Sequence, residues 1–200
     1  VRNHELSDKL FGDNAKKKHI FAFFALFLIL CVVYGNSFSG TWVFDDKSNI
    51  LENRILSSFS WPAFLQQYIF TRPLIFLSFL LNYRIGGYDI LGYHILNFAI
   101  HFISTIFVFL FIDKTLKLPL LSERYGRQSY SLALLAAAFW ATSPVHVTAV
   151  TYIVQRMAGM AGMFYFMGMY FYVQGRTAQS RSSAVIFYGL CSIAAVMAFL

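Results

Sequence analysis

Of 200 residues, 58% are hydrophobic and only 12% charged, and the mean hydropathy is +0.59. Soluble domains carry about 25% charged residues, so the polar surface of a globular fold is missing here. Four prolines and twelve glycines exclude a disordered or collagen-like chain. Sixteen basic against nine acidic residues give +7, but no basic patch on a soluble fold points to nucleic acid. In a multi-span membrane protein that excess reports sidedness.

A first apolar run, 20–34, follows Lys16-Lys17-Lys18-His19. The basic start is signal-like, yet Gly35-Asn36-Ser37 offers no small-residue cleavage site and further spans follow. Residues 1–18 therefore read as a basic cytoplasmic tail, and 19–200 as a membrane module that opens on a retained transmembrane helix. A long external loop, 36–89, holds Asp45, Asp46, Glu52, Arg54 and Arg72. Its aromatic-rich stretches, 61–70 and 74–83, are short of the ~20 helical residues that cross the hydrocarbon core. They read as amphipathic interfacial helices, with Trp42, Trp61 and Tyr68 at headgroup depth.

A second span, 90–112, leads into a cytoplasmic loop, 114–129, carrying Lys114, Lys117, Arg124 and Arg127. A short third span, 130–142, stops at Ser143-Pro144. A fourth runs over 147–173, and a fifth begins near Ala184. The fold class is an all-α transmembrane bundle of about five spans. The chain opens on Val1 and ends inside an apolar run, which fits the N-terminal portion of a larger membrane protein.

Eleven basic residues fall on the tail, the 114–129 loop and the 174–183 turn, accompanied by four acids there and by Asp113 just before the loop. The opposite side holds Lys47, Arg54, Arg72, Arg84 and Arg156 with four acids, so the two sides carry +6 and +1. Lys and Arg near span ends mark the cytoplasmic side. The N-terminus is then cytoplasmic, and the 36–89 loop and residues 143–158 face the external or lumenal side.

On that side Phe44-Asp45-Asp46 is the strongest chemical feature. Adjacent carboxylates raise each other's pKa. One can accept a proton from an acceptor hydroxyl, while the other holds it or binds a divalent metal. The same residues also fit a solvated pair or the cap of a short helix. Arg72-Pro73 places an arginine at the interface, where it can grip a phosphate bidentately or snorkel to headgroups. His146 lies ten residues before Arg156, almost three helical turns, so with Gln155 the two share a face on a continuous helix. Near-membrane ionisable residues are functional candidates; otherwise Arg156 anchors a helix end and His146 is a capped core histidine.

His94, Asn97 and His101 form an i, i+3, i+7 stripe that favours interhelical hydrogen bonds over a metal pair. The Met157, Met160, Met163, Met167 stripe and the Ala158/Gly162 pair read as packing faces. Cys31 and Cys191 sit in apolar runs as small core residues, with no disulfide framework or CxxC site. No P-loop, GxGxxG, GxSxG or HExxH motif occurs.

Taken together, Phe44-Asp45-Asp46, Arg72-Pro73-Leu74, Gly92-Tyr93-His94 with Asn97 and His101, and Pro144-Val145-His146 resemble the GT-C superfamily of membrane glycosyltransferases. Ala149-Val150-Thr151-Tyr152-Ile153 and Arg156 extend the likeness toward the transmembrane O-mannosyltransferase-like proteins that carry tetratricopeptide repeats. The likeness covers about residues 20–176, and T-Y-I-V-Q-R looks like the bacterial branch.

It implies transfer of a sugar from a polyprenyl-phosphate carrier to a protein hydroxyl or glycan acceptor outside the cytoplasm. Asp45 or Asp46 is then the catalytic carboxylate, and Arg72, Arg156, His146 and Gln155 are the candidate donor-phosphate contacts. A bacterial inner membrane fits that branch and the lack of N-x-S/T sites, with the endoplasmic reticulum as the alternative. Thr148 and Ala158 stand where many family members carry acids, leaving the metal unknown. A transporter or flippase of a lipid-linked substrate is the second reading, although its polar groups belong near the midplane. A non-catalytic membrane scaffold is the third.

Overall fold

A computed structural model describes the backbone from Arg2 to Leu200 and the side chains from Lys16 onward; the first fifteen side chains of the basic tail lie outside the described residues. Ten α-helices follow one another, with no strand among the described residues. They are α1 (Arg2–Tyr34), α2 (Arg54–Ser57), α3 (Trp61–Tyr68), α4 (Pro73–Gly86) and α5 (Ile90–Leu116). The second half adds α6 (Pro119–Tyr125), α7 (Ser129–Ala141), α8 (Val147–Thr151), α9 (Arg156–Arg176) and α10 (Arg181–Phe199).

Local chemistry sets many of the ends. Asn53, Asp89 and Ser180 accept N–H bonds from Ile55, Leu91 and Ser183 as N-caps of α2, α5 and α10. Pro73 and Pro119 open α4 and α6, where a missing N–H costs nothing. Gly87, at φ +60°, ends α4 in a conformation that L side chains rarely adopt.

The central helix is α5, and three apolar clusters mark levels along it. Ala22 and Leu26 of α1 meet Val108 and Phe109 of α5 and Ala133 and Ala137 of α7. One level on, Leu30, Tyr34, Phe98, Ala141 and Val150 pack together. At the far end Ile50, Leu56, Ile75, Phe79, Tyr93, Ile153 and Val154 gather the 36–89 segment onto the bundle. The opposite end of α5 is fastened by Asp113, which is buried, accepts from Lys117 Nζ at 2.6 Å and lies 3.5 Å from His19 Nε2.

Among the described residues, three helices are long and apolar enough to cross a membrane: Lys16–Ser39, Ile90–Leu116 and Arg181–Phe199. A fourth crossing is possible if Pro119–Ala141 and Pro144–Thr151, bent by 50° where they meet, count as one. The 21-residue α9 is not among them, because its glycines, Gln174 and terminal arginines dilute the apolar run. The expected helix over 147–173 is in fact broken: α8 ends at Thr151, a 3₁₀ turn occupies Ile153–Gln155, and α9 starts at Arg156. His146 and Arg156 thus do not share one continuous helix. Nor is Gly162 a packing contact, since a Cβ there would meet nothing within 4 Å. The close approaches are at Gly159, against Ile100, at Gly168, against Ala194, and at Gly175, against Tyr188.

Candidate functional site around the Asp45–Asp46 turn

After α1 and a 3₁₀ turn over Gly35–Ser39, the chain turns sharply at Phe44, whose φ of +43° is left-handed. That turn sends the two aspartates in opposite directions. Asp46 points inward and is fully buried. Its Oδ2 accepts from Val43 N–H at 3.1 Å and its Oδ1 from Val154 N–H at 2.9 Å. Burial pushes the Asp46 carboxyl above the ordinary carboxylate range; the two backbone donors oppose this, nearby Asp45 adds to it, and Arg156 works against it. The side chain is a clamp between the 36–89 segment and the 3₁₀ turn before α9.

Asp45 stays exposed. Its N–H donates to Tyr152 Oη at 3.0 Å, and its carbonyl accepts from Asn49 Nδ2 at 2.9 Å and Ser48 Oγ at 3.2 Å. The backbone is thereby fixed on three sides, and the exposed carboxylate also meets the Tyr152 hydroxyl. Asn53 extends this scaffold, donating to Asn49 O and to Tyr68 Oη, and Tyr68 stacks on Phe76 of α4.

Arg156 is also fully buried. Its Nε donates to Asn97 Oδ1 at 2.7 Å, Nη1 to Ser78 Oγ at 3.0 Å and Nη2 to the Tyr93 carbonyl at 3.0 Å. The guanidinium lies 4.7 Å above the Phe79 ring centroid, a cation–π contact. This one side chain ties α4, α5 and α9 together, so its donors serve the frame.

The polar stripe on α5 does the interhelical work its spacing implied. Asn97 Nδ2 reaches the Tyr152 and Ile153 carbonyls at 3.4 Å each. His101 Nε2 lies 2.9 Å from the Ala141 carbonyl, which also accepts from Tyr34 Oη at 3.1 Å. Both therefore satisfy backbone groups released where α7, α8 and α9 break. His94 differs, since neither ring nitrogen has a partner.

Arg72 takes a left-handed φ of +56° as the N-cap of α4, is exposed, and its guanidinium contacts the Met157 sulfur. Together with Asn49, Thr71 and Gln155 it edges a cavity of about 980 Å³. The rest of its lining is mostly apolar: Ile75, Phe76 and Phe79 from α4, Met157 and Met160 from α9, and Phe199 at the end of α10. Asn49 links Asp45 to this cavity and Val154 links Asp46 to it.

The structure thus brings Arg72 and Gln155 together beside the aspartate turn. His146 lies elsewhere, its ring 4.3 Å from Trp140 and 5.6 Å from His101. Among the described residues no group of three His, Cys, Asp or Glu side chains gathers as metal ligands, and the two aspartates diverge. Sequence reasoning missed Tyr152, Asn49 and Ser78 as working members of the site. Only the pairing of polar residues with the helix break signals them.

No family profile matches the chain, and no solved structure matches it. It is similar to curated proteins named protein O-mannosyl-transferases. Tmtc1 of Drosophila melanogaster is 35% identical over 138 residues, 62% of this chain and 15% of the relative. TMTC3 of Mus musculus is 31% identical over 165 residues, 74% of this chain and 16% of the relative. TMTC4 of Homo sapiens is 27% identical over 174 residues, 78% of this chain and 23% of the relative. The chain spans between about a seventh and a quarter of the length of these relatives.

Proposed function

We propose that this chain belongs to the membrane module of a GT-C-type glycosyltransferase that moves a mannosyl group from a polyprenyl-phosphate donor to a protein hydroxyl on the external or lumenal side. The observation that carries this reading is an exposed carboxylate, Asp45, held on a rigid turn beside an amphipathic cavity edged by Arg72 and Gln155. A lipid phosphate needs that pairing: cation and amide at the mouth, apolar walls for the chain beneath.

Asp45 takes the proton of the acceptor hydroxyl as its oxygen bonds the anomeric carbon. The bond from that carbon to the phosphate oxygen breaks, and polyprenyl phosphate leaves with the electron pair. Arg72 and Gln155 meet the charge that develops on it, in a site where such stabilisation is worth several kcal/mol. Asp46, Tyr152 and Arg156 position these groups, and His146 supports the α7–α8 bend. A cytoplasmic N-terminus, which the basic tail and the basic 114–129 loop support, puts the Asp45 turn and the cavity together on the external or lumenal side.

The test is transfer of radiolabelled mannose from polyprenyl phosphate onto protein by membranes holding the full-length chain. Wild type labels protein; Asp45→Asn leaves the label on lipid while its thermal stability is unchanged. A wild-type protein that carries the labelled lipid across the bilayer without transferring the sugar is instead a transporter.

A further inference from the structure

Two described non-glycine residues have left-handed backbones, Phe44 and Arg72, and they flank the two halves of the proposed site. A bulky L-residue rarely adopts that conformation, and glycine adopts it freely. The sharp turn at position 44 would form more easily with glycine, so what phenylalanine adds there is its ring. That ring is 84% exposed. It leans edge-on against Tyr152 at 6.3 Å between centroids, and the Tyr152 hydroxyl holds the Asp45 N–H. Ring and carboxylate thus share one anchor and keep a fixed relation to each other.

The neighbours argue against a lipid role for the ring. Asp45, Lys47 and Ser48 are all exposed beside it. Sinking Phe44 into hydrocarbon would draw the Asp45 carboxylate toward it, at a high desolvation cost. An apolar ring next to a charged acceptor suits a group that presents a methyl and a hydroxyl from one carbon atom.

Resting on the transferase reading, we infer that Phe44 is a specificity-determining residue that makes the site prefer threonine to serine. The threonine methyl lies on the ring while its hydroxyl reaches Asp45. Burying one such carbon favours threonine by about fourfold.

The experiment uses the full-length protein in membranes and two synthetic peptides that differ only in threonine or serine at the acceptor position. With radiolabelled polyprenyl-phosphate mannose, wild type shows about a fourfold higher kcat/KM for the threonine peptide. Phe44→Tyr keeps that ratio, and Phe44→Ala brings it to one. A ratio unchanged in Phe44→Ala overturns the proposal. A binding arm uses the Asp45→Asn, Phe44→Trp protein, in which the emission of residue 44 shifts further with the threonine peptide than with the serine peptide. If that shift occurs but wild type transfers no mannose, the transferase reading fails and the threonine contact stands. No shift, or quenching of residue 44 by brominated phospholipid in place of a peptide response, overturns the contact. Phe44→Gly, which relieves the turn, melts no lower than wild type; a lower melting temperature would assign the ring a structural role and overturn the proposal as well.

Discussion

Adjacent aspartates with opposite duties make a sharp prediction. Asp46→Ala removes the acceptor for two N–H groups, those of Val43 at 3.1 Å and Val154 at 2.9 Å, around a fully buried side chain. Each buried orphan donor costs about 1–3 kcal/mol, so the pair costs on the order of 2–6 kcal/mol. Against a total of about 5–15 kcal/mol, that is a large fraction of the stability. At about 2–4 °C per kcal/mol for a unit of this size, the melting temperature falls by roughly 5–20 °C.

Asp45→Asn behaves differently. The bonds that fix the turn at residue 45 run through its backbone N–H and carbonyl, and the exposed side chain meets the Tyr152 hydroxyl, to which an asparagine oxygen can still bond. Its melting temperature stays at the wild-type value, while mannose transfer is lost. Thermal melts of the full-length protein in detergent, paired with transfer assays in membranes, read both quantities. The assignment of roles is refuted if Asp45→Asn transfers normally, or if Asp46→Ala melts with the wild type.

Further predictions follow from the same geometry. The folded pKa of Asp46 lies above its ordinary value of 3.8, so its contribution is fully present below that pH and is lost as pH rises through the raised value. Stability of wild type relative to Asp46→Asn should therefore decline with rising pH over that window, measured as paired melts. Arg156→Lys cannot reach Asn97, Ser78 and the Tyr93 carbonyl together, and costs about 2–4 kcal/mol in a denaturation titration. Tyr152→Phe removes the acceptor for Asp45 N–H and lowers kcat with little change in melting temperature. Gly40→Ala places a Cβ 2.8 Å from His94 Nε2 and 3.0 Å from the Ser37 carbonyl, costing about 1–3 kcal/mol by overpacking. His94→Ala in that background recovers part of the loss, as a double-mutant cycle would show.

The helices around α5 were legible because membrane-length apolar runs carry their own signal. Runs over 20–34 and 90–112 fall within α1 and α5. The break at Tyr152–Gln155 was not legible. Thr151 to Arg156 contains neither proline nor glycine, and the kink is imposed by partners distant in sequence, Asn97 at the carbonyls and Asp46 at the Val154 N–H. For the same reason the sequence could not tell Asp45 from Asp46. They are identical in type and adjacent, and only the left-handed turn at Phe44 sends one inward. The stripe of His94, Asn97 and His101 was read for what two of its members do. The burial of Arg156 among Ser78, Phe79 and Tyr93 depends on where α4 lands against α5, which no local pattern encodes.

Breaking a helix within an apolar bundle releases N–H and carbonyl groups that water cannot reach, and such breaks persist only where protein groups satisfy them. Here the released carbonyls of Ala141, Tyr152 and Ile153 are met by His101, Tyr34 and Asn97, and the released Val154 N–H is met by Asp46. The last of these matters most for function. A carboxylate that must pair with the 3₁₀ turn before α9 fixes the Thr41–Leu51 region against it, and its neighbour Asp45 is left facing out beside the cavity that the same break helps to shape. A continuous helix over 147–173 would offer no free N–H to Asp46 and no hydroxyl of Tyr152 at the Asp45 amide. The interruption is therefore the feature that positions the candidate base, and the polar stripe on α5 is what makes the interruption stable.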